Sequence, residues 1–319
     1  MIPKTERGVY TEDMRRFDYT FLCANNISGS LFPVYERIIS GRTLFDLYKK
    51  GEEERILLEI ERRERVLSAS AWAESCGLNI KEKRFSCIVS RSPDPASGDE
   101  KALTLYISAY DSIREMKTIG PEDEMEALNL LVSEGEEIPR EAENAFVSAL
   151  NGGVDPLLLI PSFVLDCILS SPSLKRHMGL LMLFLLSSSG RDGVWYSSLE
   201  RVLQKKSHDF EEAIVLSSVR WEENRNDYMP FVSVFLETVA EVYSDVAQLM
   251  KRVKSTEPKP SLVLSVLEES REPLMKSEIE YLLPHVSGIT VTRALERLTR
   301  SGLVAKTEKG YVSVRGECG

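Results

Sequence analysis

The stretch HVSGITVTRALERLTRSG, residues His285 to Gly302, has the pattern of one amphipathic helix. At about 100° per residue, Val291, Leu295 and Leu298 fall on one side of this helix, and its arginines fall nearly opposite. The stretch therefore predicts a helix that packs by its apolar residues and presents guanidinium groups outward.

Two shorter helical patterns precede this helix, at Leu262–Glu269 and in MKSEIEYLL, residues 275–283. Ser277 and Glu280 predict a capping box in the second of them. Ser287 is a suitable N-cap for the arginine-rich helix that follows. These signals predict three short helices in succession near the end of the sequence.

A hairpin pattern follows the third helix. LVAKT (303–307) and YVSVR (311–315) read as two strands joined by a turn at Glu308–Gly310. Three helices and a terminal hairpin are the order of a winged helix-turn-helix. We therefore predict that 261–319 is a winged-helix domain, and that the whole chain is mainly α with this α+β part at its end.

The charge of this domain favours a nucleic-acid partner. Residues 287–315 hold six Lys or Arg against two Glu, a net of +4 in a chain whose net charge is −10. Arginine makes bidentate contacts with guanine edges and with phosphate. The alternative interpretation is an exposed helix kept soluble by its arginines, in a domain used for protein contacts. The candidate DNA-binding residues are Thr290, Thr292, Arg293, Arg297, Arg300, Lys306 and Lys309.

Composition indicates an ordinary globular protein that we expect in the cytoplasm. A length of 319 residues predicts about two domains. The first residues lack the apolar core of a signal peptide, and no apolar stretch reaches the roughly 18 residues of a membrane span. The five cysteines show no zinc-binding spacing, so we expect reduced thiols and no metal site.

Upstream of residue 251 the periodicity is mostly helical. Ile56–Cys76 and Phe231–Val253 are predicted as long helices, the second with Pro230 in its first turn. Ser90–Lys101 reads as an exposed loop, flanked by RFSCIV and ALTLYISAY as two strands or a strand and a helix. Glu122–Glu143 is strongly acidic and predicts a solvated face of two short helices that DNA would avoid.

A composition break separates the predicted domains. Lys251–Pro260 is rich in charge and proline, which is typical of an interdomain linker. The predicted organisation is one helical domain over 1–250, with N-terminal helices in 1–80 and a core in 101–250, then the linker 251–260 and the winged-helix domain.

The sequence from Val194 to Tyr243 resembles the C-terminal part of Fic-family proteins. The upstream stretch FLCANNISGSLFPVYERIISG, from Phe21 to Gly41, is similar to an early helix of that family. The positions that match the family in the first segment are Ser198, Leu199, Glu200, Phe210, Ala213, Trp221, Asn226, Asp227, Pro230, Phe231, Phe235 and Leu236. The resemblance implies a Fic-like helical fold, and many proteins of this kind also end in a winged helix.

The catalytic signature that the resemblance implies is missing. Fic adenylyltransferases carry His-x-Phe-x-(Asp/Glu)-Gly-Asn-Gly-Arg, in which the His acts as general base and the acidic residue holds Mg²⁺ on the nucleotide. In this chain SSPSLKRHM stands there, with Ser171 in place of the His and no carboxylate. The inhibitory Glu of the family's early helix is also replaced, by Ser28. We therefore expect no catalytic residue.

The remaining basic residues of that bend suggest a weak anion site. Lys175, Arg176 and His177 precede a buried helix, whose free N–H groups and dipole attract negative charge. The alternative is solvated charge at the start of the helix. We expect no cofactor, and weak nucleotide binding is the one exception the sequence suggests.

Three functions remain open from the sequence. The first is a non-catalytic Fic-like regulator that binds DNA through its winged helix, as a homodimer by analogy with proteins that read palindromes. The second is an adenylyltransferase with an atypical loop, which moves AMP onto a hydroxyl side chain. The third is a protein-interaction scaffold in which the winged helix docks a partner chain; none of the three involves a membrane.

Overall fold

A computed structural model describes residues 15–23, 29–50, 54–91, 93–115, 138–270 and 272–314. These residues are mainly helical, with a small two-stranded sheet near the C-terminus, as the sequence predicts. The α-helices are α1 Phe32–Lys49, α2 Glu54–Ser75, α3 Glu82–Arg91, α4 Gly98–Glu115, α5 Arg140–Asn151, α6 Pro156–Ser170, α7 Met178–Ser188, α8 Leu199–Lys205, α9 Ser207–Ser218, α10 Met229–Val253, α11 Lys259–Glu269, α12 Lys276–Leu282 and α13 Gly288–Arg300. The strands are β1 Val304–Thr307 and β2 Gly310–Ser313.

The contacts divide the chain into two compact units. Unit 1 comprises 1–32, 75–190 and 203–238, and unit 2 comprises 33–74, 191–202 and 239–319. Each unit is thus built from separate stretches of sequence. The predicted boundary between a domain over 1–250 and one over 261–319 stays a prediction.

The core of unit 1 is built around α6 and α7. Asp155 caps α6, since its Oδ1 accepts a hydrogen bond from the backbone N–H of Leu157 at 2.9 Å, and Pro156 occupies the favoured first position. Every residue from Leu157 to Ile168 is buried, and so is every residue of α7 from Met178 to Ser187. A helix that is apolar on nearly all sides is stable only when all its sides are buried, which explains these two runs.

The two segments around the predicted loop at 90–101 are both helical, and the expectation of at least one strand was wrong. RFSCIV lies in α3 and ALTLYISAY in α4, and the non-helical chain between them is short. Leu103, Tyr106 and Tyr110 are buried at helical spacing, so packing on one face decides the conformation of α4. The guanidinium of Arg84 joins the two helices through a bidentate pair with Glu100, at 3.0 and 2.8 Å.

The two long predicted helices are confirmed as α2 and α10. Helix α10 buries the expected stripe, which includes Phe231, Phe235 and Val239. It continues to Val253, and α11 begins at Lys259, so both ends of the predicted linker 251–260 are helical.

The predicted acidic helices and the predicted lack of a membrane span concern other parts of the chain. The acidic stretch predicted as a solvated face lies outside the described residues from 122 to 137, and α5 begins at Arg140. Among the helices that the structure describes, none combines the length and apolar character needed to cross a membrane.

Candidate nucleic-acid interface

The C-terminal residues of unit 2, here called the C-terminal module (259–314), share one apolar core. Helices α11, α12 and α13 pack together with the hairpin of β1 and β2. The buried side chains of this core are Leu262, Val263, Val266, Leu267, Ile279, Leu283, Val286, Val291, Ala294, Leu295, Leu298 and Val304. The three predicted helices and the two predicted strands are thus present, in the predicted order.

The starts of two helices in the module test the capping predictions. The Ser287 hydroxyl accepts a hydrogen bond from the backbone N–H of Thr290 at 3.3 Å, so Ser287 is the N-cap of α13, as predicted. The capping box predicted for Ser277 and Glu280 was wrong by two positions. Helix α12 begins earlier, and the Glu278 carboxylate accepts the N–H of Met275 at 2.6 Å.

Helix α13 separates an apolar face from a basic face, as its sequence predicts. Val291 and Leu295 are at most 2% exposed, and Leu298 is also buried. Arg293 and Arg297 on the opposite face are exposed. The helix is therefore held by its leucines and leaves these guanidinium groups available to a ligand.

The third arginine of this face, Arg300, is 82% exposed in its side chain and lies 3.7 Å from the carboxylate of Glu296. An ion pair this exposed contributes little, because water screens it. A phosphate could therefore replace Glu296 as the partner of Arg300 at small cost.

The two threonines predicted to contact DNA are half-buried at the start of α13. The Thr290 hydroxyl shares a hydrogen bond with the Ser287 hydroxyl at 2.8 Å. The Thr292 hydroxyl donates to the carbonyl of Gly288 at 2.9 Å, so toward a ligand it can act only as an acceptor.

The hairpin carries the other predicted basic residues. Strands β1 and β2 pair antiparallel, and the main chain of Leu274 adds a bridge, with two N–H to carbonyl bonds to Tyr311 at 2.9 and 2.8 Å. Lys306 and Lys309 are exposed, and the Lys306 ammonium lies 5.9 Å from the ring centroid of Tyr311. The hairpin therefore holds two positive charges on a short, firmly paired ribbon.

Gly310 sets the shape of this hairpin. Its φ of +141° lies in the region that favours glycine, and an added Cβ would overlap the carbonyl group of Leu274. The close approach of these two backbones makes the bridge possible.

The bend that would carry the Fic catalytic turn is compact. Residues Pro172–His177 form a 3-10 helix that leads directly into α7. Ser171, which the resemblance predicts to replace the catalytic His, is 1% exposed, and its backbone N–H donates to the carbonyl of Cys167 at 2.9 Å. The predicted polar loop is thus a closed helical connection.

The predicted anion site in this bend carries less positive charge than its sequence suggests. The Lys175 ammonium lies 2.5 Å from the Glu211 carboxylate. Burial, and to a smaller extent the charge of the neighbouring Arg176, lower the pKa of His177 to about 4, so the imidazole is neutral near pH 7. The other predicted family position, Ser28, lies outside the described residues.

A buried carboxylate in unit 2 was not predicted. Glu64 of α2 is 1% exposed, and burial raises the pKa of its carboxyl to about 8, against a hydrogen bond from Tyr281 and the charge of Arg201. The nearby Asp245 adds to the rise, and the Arg201 guanidinium lies 5.2 Å from the Tyr281 ring centroid. The sequence carries a signal for this burial, since Glu64 lies four residues from Ile60 and therefore on the same, buried side of α2.

Comparisons with known proteins do not assign the chain to a family. The search finds no family model that matches the chain and no curated protein that matches it. In the part of the chain that the structure describes, no group of three or more His, Cys, Asp or Glu is placed to hold a metal ion. The resemblance to Fic proteins accordingly stays a prediction.

Proposed function

We propose that this chain binds DNA through the C-terminal module, used as a winged helix, and that the remaining residues form a Fic-like regulatory part without catalysis. Helix α13 would enter the major groove, and the hairpin would follow the phosphate backbone. One observation carries the proposal: α13 buries Val291, Leu295 and Leu298 and exposes Arg293 and Arg297 on the opposite face.

The positions of the basic groups support different contacts with DNA for α13 and for the hairpin. Arginines along one face of a recognition helix suit guanine edges and flanking phosphates. Lys306 and Lys309 on the hairpin are point charges suited to phosphate alone. A dimer would present two copies of α13 about 34 Å apart, one turn of DNA.

The bend at 171–177 supports the non-catalytic part of the proposal. Nucleotide transfer of the Fic type needs a general base and an open, glycine-rich turn around the phosphates. Ser171, which the resemblance assigns to the position of the base, is buried, and a 3-10 helix follows it directly. Incubation with labelled ATP and Mg²⁺ would reveal a transfer activity, and label on the protein or on lysate partners would contradict this part.

DNA binding is tested by anisotropy with labelled mixed-sequence duplexes over a range of salt concentrations. We expect log affinity to fall linearly with log salt, by about 0.9 per phosphate contact. The double variant Arg293→Ala plus Arg297→Ala should bind at least tenfold more weakly. Both side chains are exposed, so the fold should survive, which circular dichroism checks.

The matched control is Arg55→Ala plus Arg62→Ala. These two arginines are exposed on α2, so their loss changes the net charge equally and leaves α13 intact. Equal loss of affinity in both double variants would contradict a site on α13, and so would unchanged affinity in the first. Capture of a partner protein that persists after nuclease treatment, without DNA binding, would favour the scaffold.

A further inference from the structure

The guanidinium of Arg15 in unit 1 is inserted into a set of polar and aromatic groups. This set, here called the arginine cage, consists of Asp166, Trp221, Asn224, Asn226 and Tyr228. Arg15 Nη2 lies 2.8 Å from Asp166 Oδ1 and also donates to the Tyr228 hydroxyl. Arg15 Nη1 donates to the carbonyl of Trp221 at 3.0 Å and to Asn226 Oδ1 at 3.1 Å.

Aromatic rings enclose the same guanidinium. Its central carbon lies 4.9 Å from the ring centroid of Trp221 and 5.9 Å from that of Tyr228. Phe17, two residues along the chain, adds a third ring at 5.4 Å. Aromatic faces attract cations most strongly where water is excluded, and only 12% of the Arg15 side chain is exposed.

The floor of the cage is a buried negative charge. Asp166 in α6 is 0% exposed, and its carboxylate also accepts hydrogen bonds from Tyr19 at 2.9 Å and from the Trp221 indole at 2.6 Å. Burial raises the pKa of Asp166, and the Arg15 charge opposes that rise. A buried carboxylate is costly without a positive partner, so the cage is built to hold a cation.

The shape of the cage selects guanidinium among cations. The two terminal nitrogens of Arg15 point in different directions, one to Asp166 and the other to Trp221 O and Asn226 Oδ1. A planar fork reaches these three acceptors from two separate nitrogens, whereas an ammonium would have to reach them from one.

The occupant comes from a segment held mainly by its side chains. Residues 15–19 are neither helix nor strand, and one main-chain bond, from Arg16 N–H to Asn224 Oδ1 at 2.8 Å, joins their backbone to the cage. Asp166 and Trp221 lie 151 and 206 positions away from Arg15. The receptor and its occupant are therefore separate parts of the chain, which another chain could exchange.

We propose that the arginine cage is a binding site for an arginine side chain of a peptide, and that Arg15 is its internal competitor. A partner segment with arginine would enter when the Arg15 side chain leaves the cage. This inference does not depend on DNA binding by the C-terminal module.

The test uses the full chain with Arg15→Ala, titrated with N-acetyl-arginine amide. Trp221 fluorescence reports the cage, since Trp72 and Trp195 are buried elsewhere and give a constant background. We expect saturable binding in the millimolar range, at least tenfold tighter than to the unchanged chain, together with a raised unfolding midpoint. N-acetyl-lysine amide should bind at least tenfold more weakly than the arginine compound.

Two variants control the result. Arg16→Ala makes the same change at an exposed neighbour and leaves the cage filled, so it should bind as weakly as the unchanged chain. Arg15→Ala plus Asp166→Asn should lose the binding. If Arg15→Ala does not fold, Arg15→Lys takes its place, because lysine keeps the charge without the fork. Equal binding by the arginine and lysine compounds, or no gain in affinity on removal of Arg15, would overturn the proposal.

Discussion

Replacing Glu64 by glutamine should remove a large pH dependence of stability. Glu64 is 1% exposed, and burial raises the pKa of its carboxyl from its ordinary value of 4.5 to about 8. Between pH 4.5 and about pH 8, Glu64 in the folded chain keeps a proton that it has released in the unfolded chain. The free energy of unfolding therefore falls as the pH rises through this range, because folding favours the protonated form.

The size of the effect follows from the same two values. One pKa unit corresponds to about 1.4 kcal/mol. The pKa rise from 4.5 to about 8 therefore corresponds to about 5 kcal/mol. The free energy of unfolding is lower by this amount once the pH is high enough to ionise Glu64 in the folded chain. Glutamine has nearly the same shape and stays neutral, so it should still accept the hydrogen bond from Tyr281.

The assay is urea unfolding of both chains at several pH values from 5 to 9, followed by circular dichroism. Glu64→Gln should gain stability relative to the unchanged chain by about 1.4 kcal/mol per pH unit up to pH 8, and the difference should then level off. Glu54→Gln, at an exposed position of the same helix, should show no such slope. A flat difference, or one that falls as pH rises, would refute the assignment of Glu64 as a buried neutral acid.

Two substitutions test the packing of unit 2 by urea unfolding. Leu295→Ala should lower the free energy of unfolding of the C-terminal module by about 3 kcal/mol, since it removes a core side chain that is 2% exposed; an unchanged midpoint would show that α13 is not anchored by its leucines. Gly41→Ala should cost about 1–3 kcal/mol, because its new Cβ would lie 2.8 Å from Tyr243 Cβ and 3.2 Å from the Tyr243 backbone. A neutral result there would show that α1 and α10 pack less tightly than described.

The parts of the fold that the sequence predicts well are those decided locally. Helix α13 shows this, because its spacing of leucines and arginines and its serine cap all lie within one stretch. Helices α3 and α4 are not decided locally. Short runs rich in β-branched and aromatic residues resemble strands, and only the packing of residues such as Tyr106 and Tyr110 makes them helical.

The buried polar groups could not be assembled from the sequence. No local pattern in the sequence links Asp166 to its partner Arg15, which lies 151 positions away. Periodicity indicates which face of a helix is buried but not which distant side chain will meet it. Trp221 and Asn226 were singled out through the resemblance to Fic proteins, and the structure shows both holding Arg15.

Gly310 in the hairpin limits which substitutions this chain can accept during evolution. The basic residues around it are exposed and can be exchanged as binding preferences drift, whereas position 310 admits no side chain while the bridge to Leu274 persists. Descendants of a common ancestor that kept this ribbon should agree at that position even where their lysines and arginines have diverged.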